Sequence, residues 1–268
     1  MSDDGGARVA GDASGGKRGG ERGGGDSGFD CAPRPALVFP AEILARLAAV
    51  RVVAGFSVGG KAAAAAAESD GKLTYADSCA REAVAVARAL LAGGIDVVEI
   101  TLRPPAAALA GVAAIAAEVP EMLIGVGTIL TPEHARAAKR AGAHFGVAPG
   151  CNARVVAAAR EIGLPFAPGV ATPSDIETAV WEGCRLLKVF PGVPLGGARY
   201  LKSMSAPYRH LGLRYFPLGG VHEGNMGEFL AMDDVIAVGG SWIVKAHGGD
   251  WAGVTRKARA VRDALDDV

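Results

Sequence analysis

From about Ala36 to the end of the chain, short apolar runs alternate with amphipathic stretches rich in Ala, Arg and Glu, and this alternation most restricts the fold. Apolar runs of strand length separated by helical patterns mark βα units, which bring parallel strands side by side. Strands are expected at Arg51–Phe56, Asp96–Leu102, Leu123–Thr128, His144–Ala148, Pro165–Gly169, Leu186–Phe190, Arg214–Leu218 and Val235–Val238. Eight such strands close an α/β (β/α)8 TIM barrel. The alternative is an open doubly wound sheet, but such sheets carry about five or six strands and a nucleotide fingerprint that this chain lacks.

The helices between the strands have recognisable starts. Thr131-Pro132-Glu133 and Thr172-Pro173-Ser174-Asp175 each set a capping hydroxyl before a proline and place acids in the first turn. Further helices are expected at Ala41–Ala49, Cys79–Leu91, Pro105–Glu118, Asn152–Ile162, Asn225–Ala231 and Trp251–Leu265. The first covers the barrel bottom and the last completes the outer ring. Residues 57–77 form an enlarged first loop. Gly55 to Ala62, running from the strand end into this loop, nearly spells a P-loop, yet Ala62 lacks the hydroxyl that would bind a nucleotide's magnesium, so the stretch reads as a glycine-rich turn.

Residues 1–35 are mostly Gly, Asp, Ser, Arg and Lys and read as a disordered leader before a single barrel domain over residues 36–268. No apolar window approaches a membrane span and no signal-peptide core follows the leader, so the expected location is the cytoplasm. Twenty-eight basic residues balance twenty-eight acidic ones. With no global field and no basic cluster, neither nucleic acid nor a membrane surface is an expected partner, and an anion must be held locally. Cys31, Cys79, Cys151 and Cys184 show no C-x-x-C spacing and read as reduced, buried thiols. His134, His144, His210, His222 and His247 do not group at metal-ligand spacing, so no metal is expected.

Chemistry is expected at the carboxyl ends of the strands. Lys188 lies in the apolar run Leu186-Leu187-Lys188-Val189-Phe190, a costly place for a charged amine, and a neutral amine is a nucleophile toward carbonyls. The pattern alone equally allows a strand-end lysine whose head reaches water. In Asp96–Arg103, strand parity puts Glu99, Thr101 and Arg103 on one face and Val98, Ile100 and Leu102 on the other. The apolar face suits the outer helices, so Glu99 and Arg103 project toward the lumen and its rim, either for a substrate or as an ion pair with each other. Parity groups Thr128 with Ile124 and Val126, its hydroxyl at the strand terminus. The pairs Gly219-Gly220 and Gly239-Gly240, the second followed by Ser241, end the last two strands, where backbone N–H groups can cradle a phosphate.

Taken together, Val98-Glu99-Ile100-Thr101-Leu102-Arg103, Gly125-Val126-Gly127-Thr128-Ile129-Leu130, Ala148-Pro149-Gly150, Leu187-Lys188-Val189-Phe190-Pro191, Gly219-Gly220 and Gly239-Gly240-Ser241-Trp242 resemble the 2-keto-3-deoxy-6-phosphogluconate aldolase family. These are class I barrel aldolases that also act on 4-hydroxy-2-oxoglutarate. The resemblance covers roughly Ala92 to Val244. It implies a carbon–carbon lyase of the Entner-Doudoroff pathway, working without a cofactor on a phosphorylated keto-deoxy sugar acid. It further implies a Schiff base at Lys188, proton transfer by Glu99, carboxylate contacts from Arg103 and Thr128, and a pocket lined by Pro149 and Phe190. Gly219, Gly220, Gly239, Gly240 and Ser241 would hold the phosphate, and the assembly would be a homotrimer.

The chain also departs from that pattern. Leu218 stands where the gluconate enzymes have a threonine and their galactonate-preferring relatives an apolar residue, which leaves the preferred C4 epimer open. Pro104 follows Arg103 where threonine is frequent, and Pro191-Gly192-Val193 replaces a usual Pro-Ala-Glu. The leader and the enlarged loop have no counterpart in the compact bacterial enzymes, and the loop's place on the active-site side fits a lid. Two other readings of the residues remain: a phosphosugar isomerase or epimerase using Glu99 without an imine, and a non-catalytic phosphosugar-binding module.

Overall fold

The computed structural model describes residues 34–59, 73–245 and 248–266. Residues 1–33 of the expected leader, residues 60–72 of the enlarged loop, Cys31 and His247 lie outside the described residues. The strands are β1 (Val52–Phe56), β2 (Val97–Thr101), β3 (Leu123–Gly127), β4 (Phe145–Val147), β5 (Phe166–Ala167), β6 (Gly169–Val170), β7 (Leu186–Val189), β8 (Arg214–Pro217) and β9 (Val238–Gly240). Every pairing between them is parallel.

Hydrogen bonding divides the strands into two arcs, one ordered β5-β4-β3-β2-β1-β9 and the other β6-β7-β8. The fifth crossing is split at Pro168, which has no N–H to give to a ladder, although its carbonyl still accepts from Lys188 N–H at 2.9 Å. On the far side, single bridges from Tyr215 to Val235 and from Leu218 to Gly239 join the arcs. The result is the eight-crossing (β/α)8 barrel read from the sequence. Its last strand starts later than expected, because residues 234–236 bond Tyr215 on β8 before Val238 N–H turns to Arg51 on the other neighbour.

Helices α1 (Ala41–Val50), α2 (Tyr75–Ala92), α3 (Pro105–Glu118), α4 (Pro132–Arg140), α5 (Ala153–Glu161), α6 (Pro173–Trp181), α7 (Gly197–Ser205), α8 (Glu223–Leu230) and α9 (Trp251–Asp266) accompany the strands. Arg46 of α1 donates to the Asp96 carboxylate at 2.8 and 3.0 Å, which ties α1 to the residue just before β2, at the N-terminal end of the barrel. Helix α2 begins four residues earlier than the expected Cys79, at a capping box in which Thr74 and Asp77 serve each other's backbone N–H groups. Helix α7 was not anticipated. It opens on Gly196-Gly197 with no capping side chain and holds itself down by burying Ala198, Leu201, Met204 and Ser205.

Strands β1 to β7 are buried on both faces, apart from the terminal Thr101. Full burial of a valine or isoleucine contributes about 1.5–3 kcal/mol, so a strand covered on both faces reads as a continuous apolar run. Against that background, Glu99 at 4% exposure and Lys188 at 5% are conspicuous charges in the barrel interior.

Candidate active site

Glu99 sits on β2 between two glycines: its register partners are Gly55 on β1 and Gly125 on β3. Neighbours in register point to the same side of a sheet, so neither flanking strand sets a side chain directly beside the carboxylate, and the space over Gly125 is taken by the Phe145 ring. One step along β3, Gly127 makes room for it. A Cβ at Gly127 would fall 1.5 Å from Glu99 Oε1. Val98, Ile100 and Leu102 are buried on the opposite face, as parity required.

Lys188 reaches the same space from β7. Its Nζ lies 3.6 Å from Glu99 Oε1 and 5.2 Å from the centre of the Phe190 ring. The lysine therefore does not reach out to water, and Glu99 pairs with Lys188 rather than with Arg103. A buried ion pair of this kind is poor evidence for stability, because desolvation offsets most of the attraction. Its two groups are placed to exchange a proton.

Around the pair opens a cavity of about 500 Å³. Arg103 and Thr101 line it from β2, Thr128 and Pro149 from the ends of β3 and β4, and Phe190 and Leu218 from the ends of β7 and β8. Thr128 arrives there by an unexpected route. Gly125 and Gly127 face the lumen, so an extended Thr128 would face the helices, but its φ is +60° and turns the side chain into the cavity. A β-branched residue in the left-handed region costs about 1–3 kcal/mol, and such strain collects at functional sites.

Gly219 and Gly220 line the opposite side, with φ values of +88° and +82°. The carbonyls of this turn are all engaged: Leu218 O accepts from Gly192 N–H, Gly219 O from Val193 N–H, and Gly220 O from the Asn225 side chain. Among the described residues, nothing accepts from Gly219 or Gly220 N–H. Open backbone donors beside a cavity suit an anion. Gly240 and Ser241 border the same region, whereas Gly239 lies beneath it, where a Cβ would come 2.7 Å from Leu218 Cγ.

Several lining residues are not among the site candidates read from the sequence, and four of them carry polar side chains: Ser57, Thr101, Trp242 and Lys245. Ser57 and Thr101 stand at strand ends, and Thr101 shares its parity with Glu99, so both carried a usable signal. Trp242 covers Gly240, and its buried Nε1 has no partner among the described residues. Lys245 is brought into the cavity wall by a turn in which its N–H donates to Ser241 O at 2.7 Å. Away from the cavity, His144 Nδ1 accepts from Ile124 N–H at 3.0 Å, a structural task at the start of its strand. Among the described residues, no three His, Cys, Asp or Glu side chains gather where they could hold a metal ion.

The family model "KDPG and KHG aldolase" matches residues 75–257, where KDPG is 2-keto-3-deoxy-6-phosphogluconate and KHG is 4-hydroxy-2-oxoglutarate. The 2-dehydro-3-deoxy-phosphogluconate aldolase of Treponema pallidum is 44% identical over 177 residues, covering 65% of this chain and 83% of that protein. The KHG/KDPG aldolase of Escherichia coli K12 is 38% identical over 180 residues, covering 66% and 83%. The crystal structure of KDPG aldolase from Legionella pneumophila, with pyruvate captured as a covalent carbinolamine, superposes with a TM-score of 0.70 at 30% identity over 81% of this chain and 97% of that one.

Proposed function

The chain belongs to the KDPG and KHG aldolase family, and from that premise we propose that it is a class I aldolase that splits a 2-keto-3-deoxy-6-phospho sugar acid into pyruvate and glyceraldehyde 3-phosphate through an imine on Lys188. The observation that carries this reading is the 3.6 Å approach of Lys188 Nζ to Glu99 Oε1 in the barrel interior. It joins a carbonyl nucleophile to a proton acceptor in a cavity large enough for a six-carbon acid.

The steps follow from these side chains. Lys188 gives a proton to Glu99 and attacks the C2 ketone, forming a carbinolamine. Glu99 returns a proton to the departing hydroxyl, water leaves, and the positive iminium becomes an electron sink. Glu99 then takes the C4 hydroxyl proton as the C3–C4 bond breaks, releasing glyceraldehyde 3-phosphate and leaving an enamine. Protonation of the enamine at C3 and hydrolysis of the iminium free pyruvate and regenerate the amine. Arg103 grips the carboxylate of the keto acid, Thr128 adds a hydroxyl donor, and Pro149 and Phe190 wall the reacting carbons. The open N–H groups of Gly219 and Gly220, with Gly240 and Ser241, take the phosphate.

Borohydride reduction in the presence of pyruvate tests the assignment: it should leave a stable pyruvyl adduct on Lys188, located by peptide mass spectrometry. Absence of the adduct from folded protein would overturn the reading, and turnover surviving Lys188→Ala would favour isomerase or epimerase chemistry at Glu99 instead. Leu218 offers no hydrogen bond to a C4 hydroxyl, so parallel cleavage of the gluconate and galactonate epimers is the informative assay for stereochemistry. The assembly is read as a homotrimer, to be checked by light scattering for three chain masses. No described helix is long and apolar enough to cross a membrane, which supports a cytoplasmic location.

A further inference from the structure

The charges around the cavity do not cancel. Among the described residues, Glu99 is the single acidic residue in its lining, and it is committed to Lys188. Two lining cations remain, Arg103 and Lys245, and among the described residues neither forms an ion pair. Among the described residues, Asp250 is the acid that lines the adjoining cavity with Lys245, and Asp250 is taken by Arg256 at 3.5 Å and by Gly253 N–H at 2.8 Å. Arg103 stands at the end of β2 and Lys245 follows β9, with β1 between these two strands in the barrel order. Lys245 thus lies at the β9 end of the six-strand arc, beside Ser241 and, across the Leu218–Gly239 bridge, next to Gly219 and Gly220, while Arg103 stands two strands along the same arc with Glu99 and Thr128.

We propose that Lys245 is the cation that pairs with the substrate's phosphate and so sets the preference for phosphorylated over unphosphorylated keto acids. This rests on the aldolase reading and deepens it: one unspent cation serves each charged end of the substrate, the arginine fork for the planar carboxylate and the compact ammonium for the phosphate. Backbone N–H groups supply direction to the phosphate but no net charge, and the ammonium supplies the charge. A solvent-facing ammonium also makes the interaction sensitive to salt.

The test is steady-state cleavage by the wild type, Lys245→Met and Lys245→Arg of the phosphorylated substrate and of 4-hydroxy-2-oxopentanoate, which has no distal anion. Lys245→Met should raise KM for the phosphorylated substrate roughly tenfold with kcat changed less than about threefold. Lys245→Arg should restore most of the loss, and the penalty should not extend to 4-hydroxy-2-oxopentanoate. Added potassium chloride should raise the wild-type KM more than that of Lys245→Met. An unchanged KM, or equal losses on both substrates, would overturn the proposal. If the wild type cleaves neither compound and pyruvate leaves no adduct on Lys188, the aldolase reading is what fails. Inorganic phosphate then still decides on Lys245, since it should raise the melting temperature of the wild type and not of Lys245→Met, and equal shifts would refute the assignment.

Discussion

The carboxylate of Glu99 occupies the volume that a side chain on Gly127 would need, since a Cβ there would sit 1.5 Å from Glu99 Oε1. The glycine is therefore the floor on which the proposed acid–base group rests. Gly127→Ala should displace that carboxylate from Lys188, lowering kcat at least about a hundredfold. Its stability cost should be about 1–3 kcal/mol, the range for overpacking a filled interior. Urea melts beside turnover measurements check both, and a fully active Gly127→Ala protein would contradict the placement.

Glu99→Gln keeps the shape of the side chain and removes its ability to take a proton. A fall in kcat of roughly 10²- to 10⁴-fold is expected, while the borohydride-trapped pyruvate adduct on Lys188 still accumulates, only more slowly. Single-turnover trapping separates loss of proton transfer from loss of the nucleophile.

Thr128 holds a backbone conformation that asparagine adopts far more readily. Thr128→Asn should stabilise the unliganded protein by about 1 kcal/mol, read from its melting temperature. The same change should lower kcat/KM about tenfold through loss of a hydroxyl donor at the carboxylate end. A variant that melts lower than the wild type would show that the turn is held by something other than the threonine's function.

Burial pushes the Cys151 thiol up to about 11 and the Cys184 thiol up to about 12, with nearby acids adding to the effect on both. At pH 8 the native protein should react with iodoacetamide at these positions roughly two to three orders of magnitude more slowly than the unfolded chain, whose thiols titrate near 8.5. The sign for stability follows. The unfolded chain loses these protons first, so stability is fully present below about pH 8.5 and falls as pH climbs toward 11 and 12. Replacing both cysteines with alanine should flatten that alkaline decline, measured by melts between pH 8 and 10.5.

Parity and periodicity carried far in this chain because most of its strands are regular and buried on both faces. Glu99 and Arg103 were legible from alternation alone, and Lys188 from a charge that interrupts an apolar run. Helix α3 was bounded correctly at both ends by its prolines and alanines. What escaped depends on contacts distant in sequence or on backbone angles. The pairing of Glu99 with Lys188 joins residues on strands from different arcs, and the turn of Thr128 into the cavity reverses the parity that governs the rest of β3. Gly239 looks like its neighbour Gly240 as text, yet only the contact with Leu218 shows that it serves packing beneath the cavity.

The interruption at Pro168 bears on how the reaction centre is held. Glu99 belongs to the six-strand arc and Lys188 to the three-strand arc, and the ladder between them is broken beside Lys188, whose own N–H is bonded to the Pro168 carbonyl. The distance between the proposed nucleophile and the proposed base is thus a gauge of how two separately hydrogen-bonded halves meet at a seam. A substitution far from the cavity that loosens this joint would spare each half and still detune the chemistry.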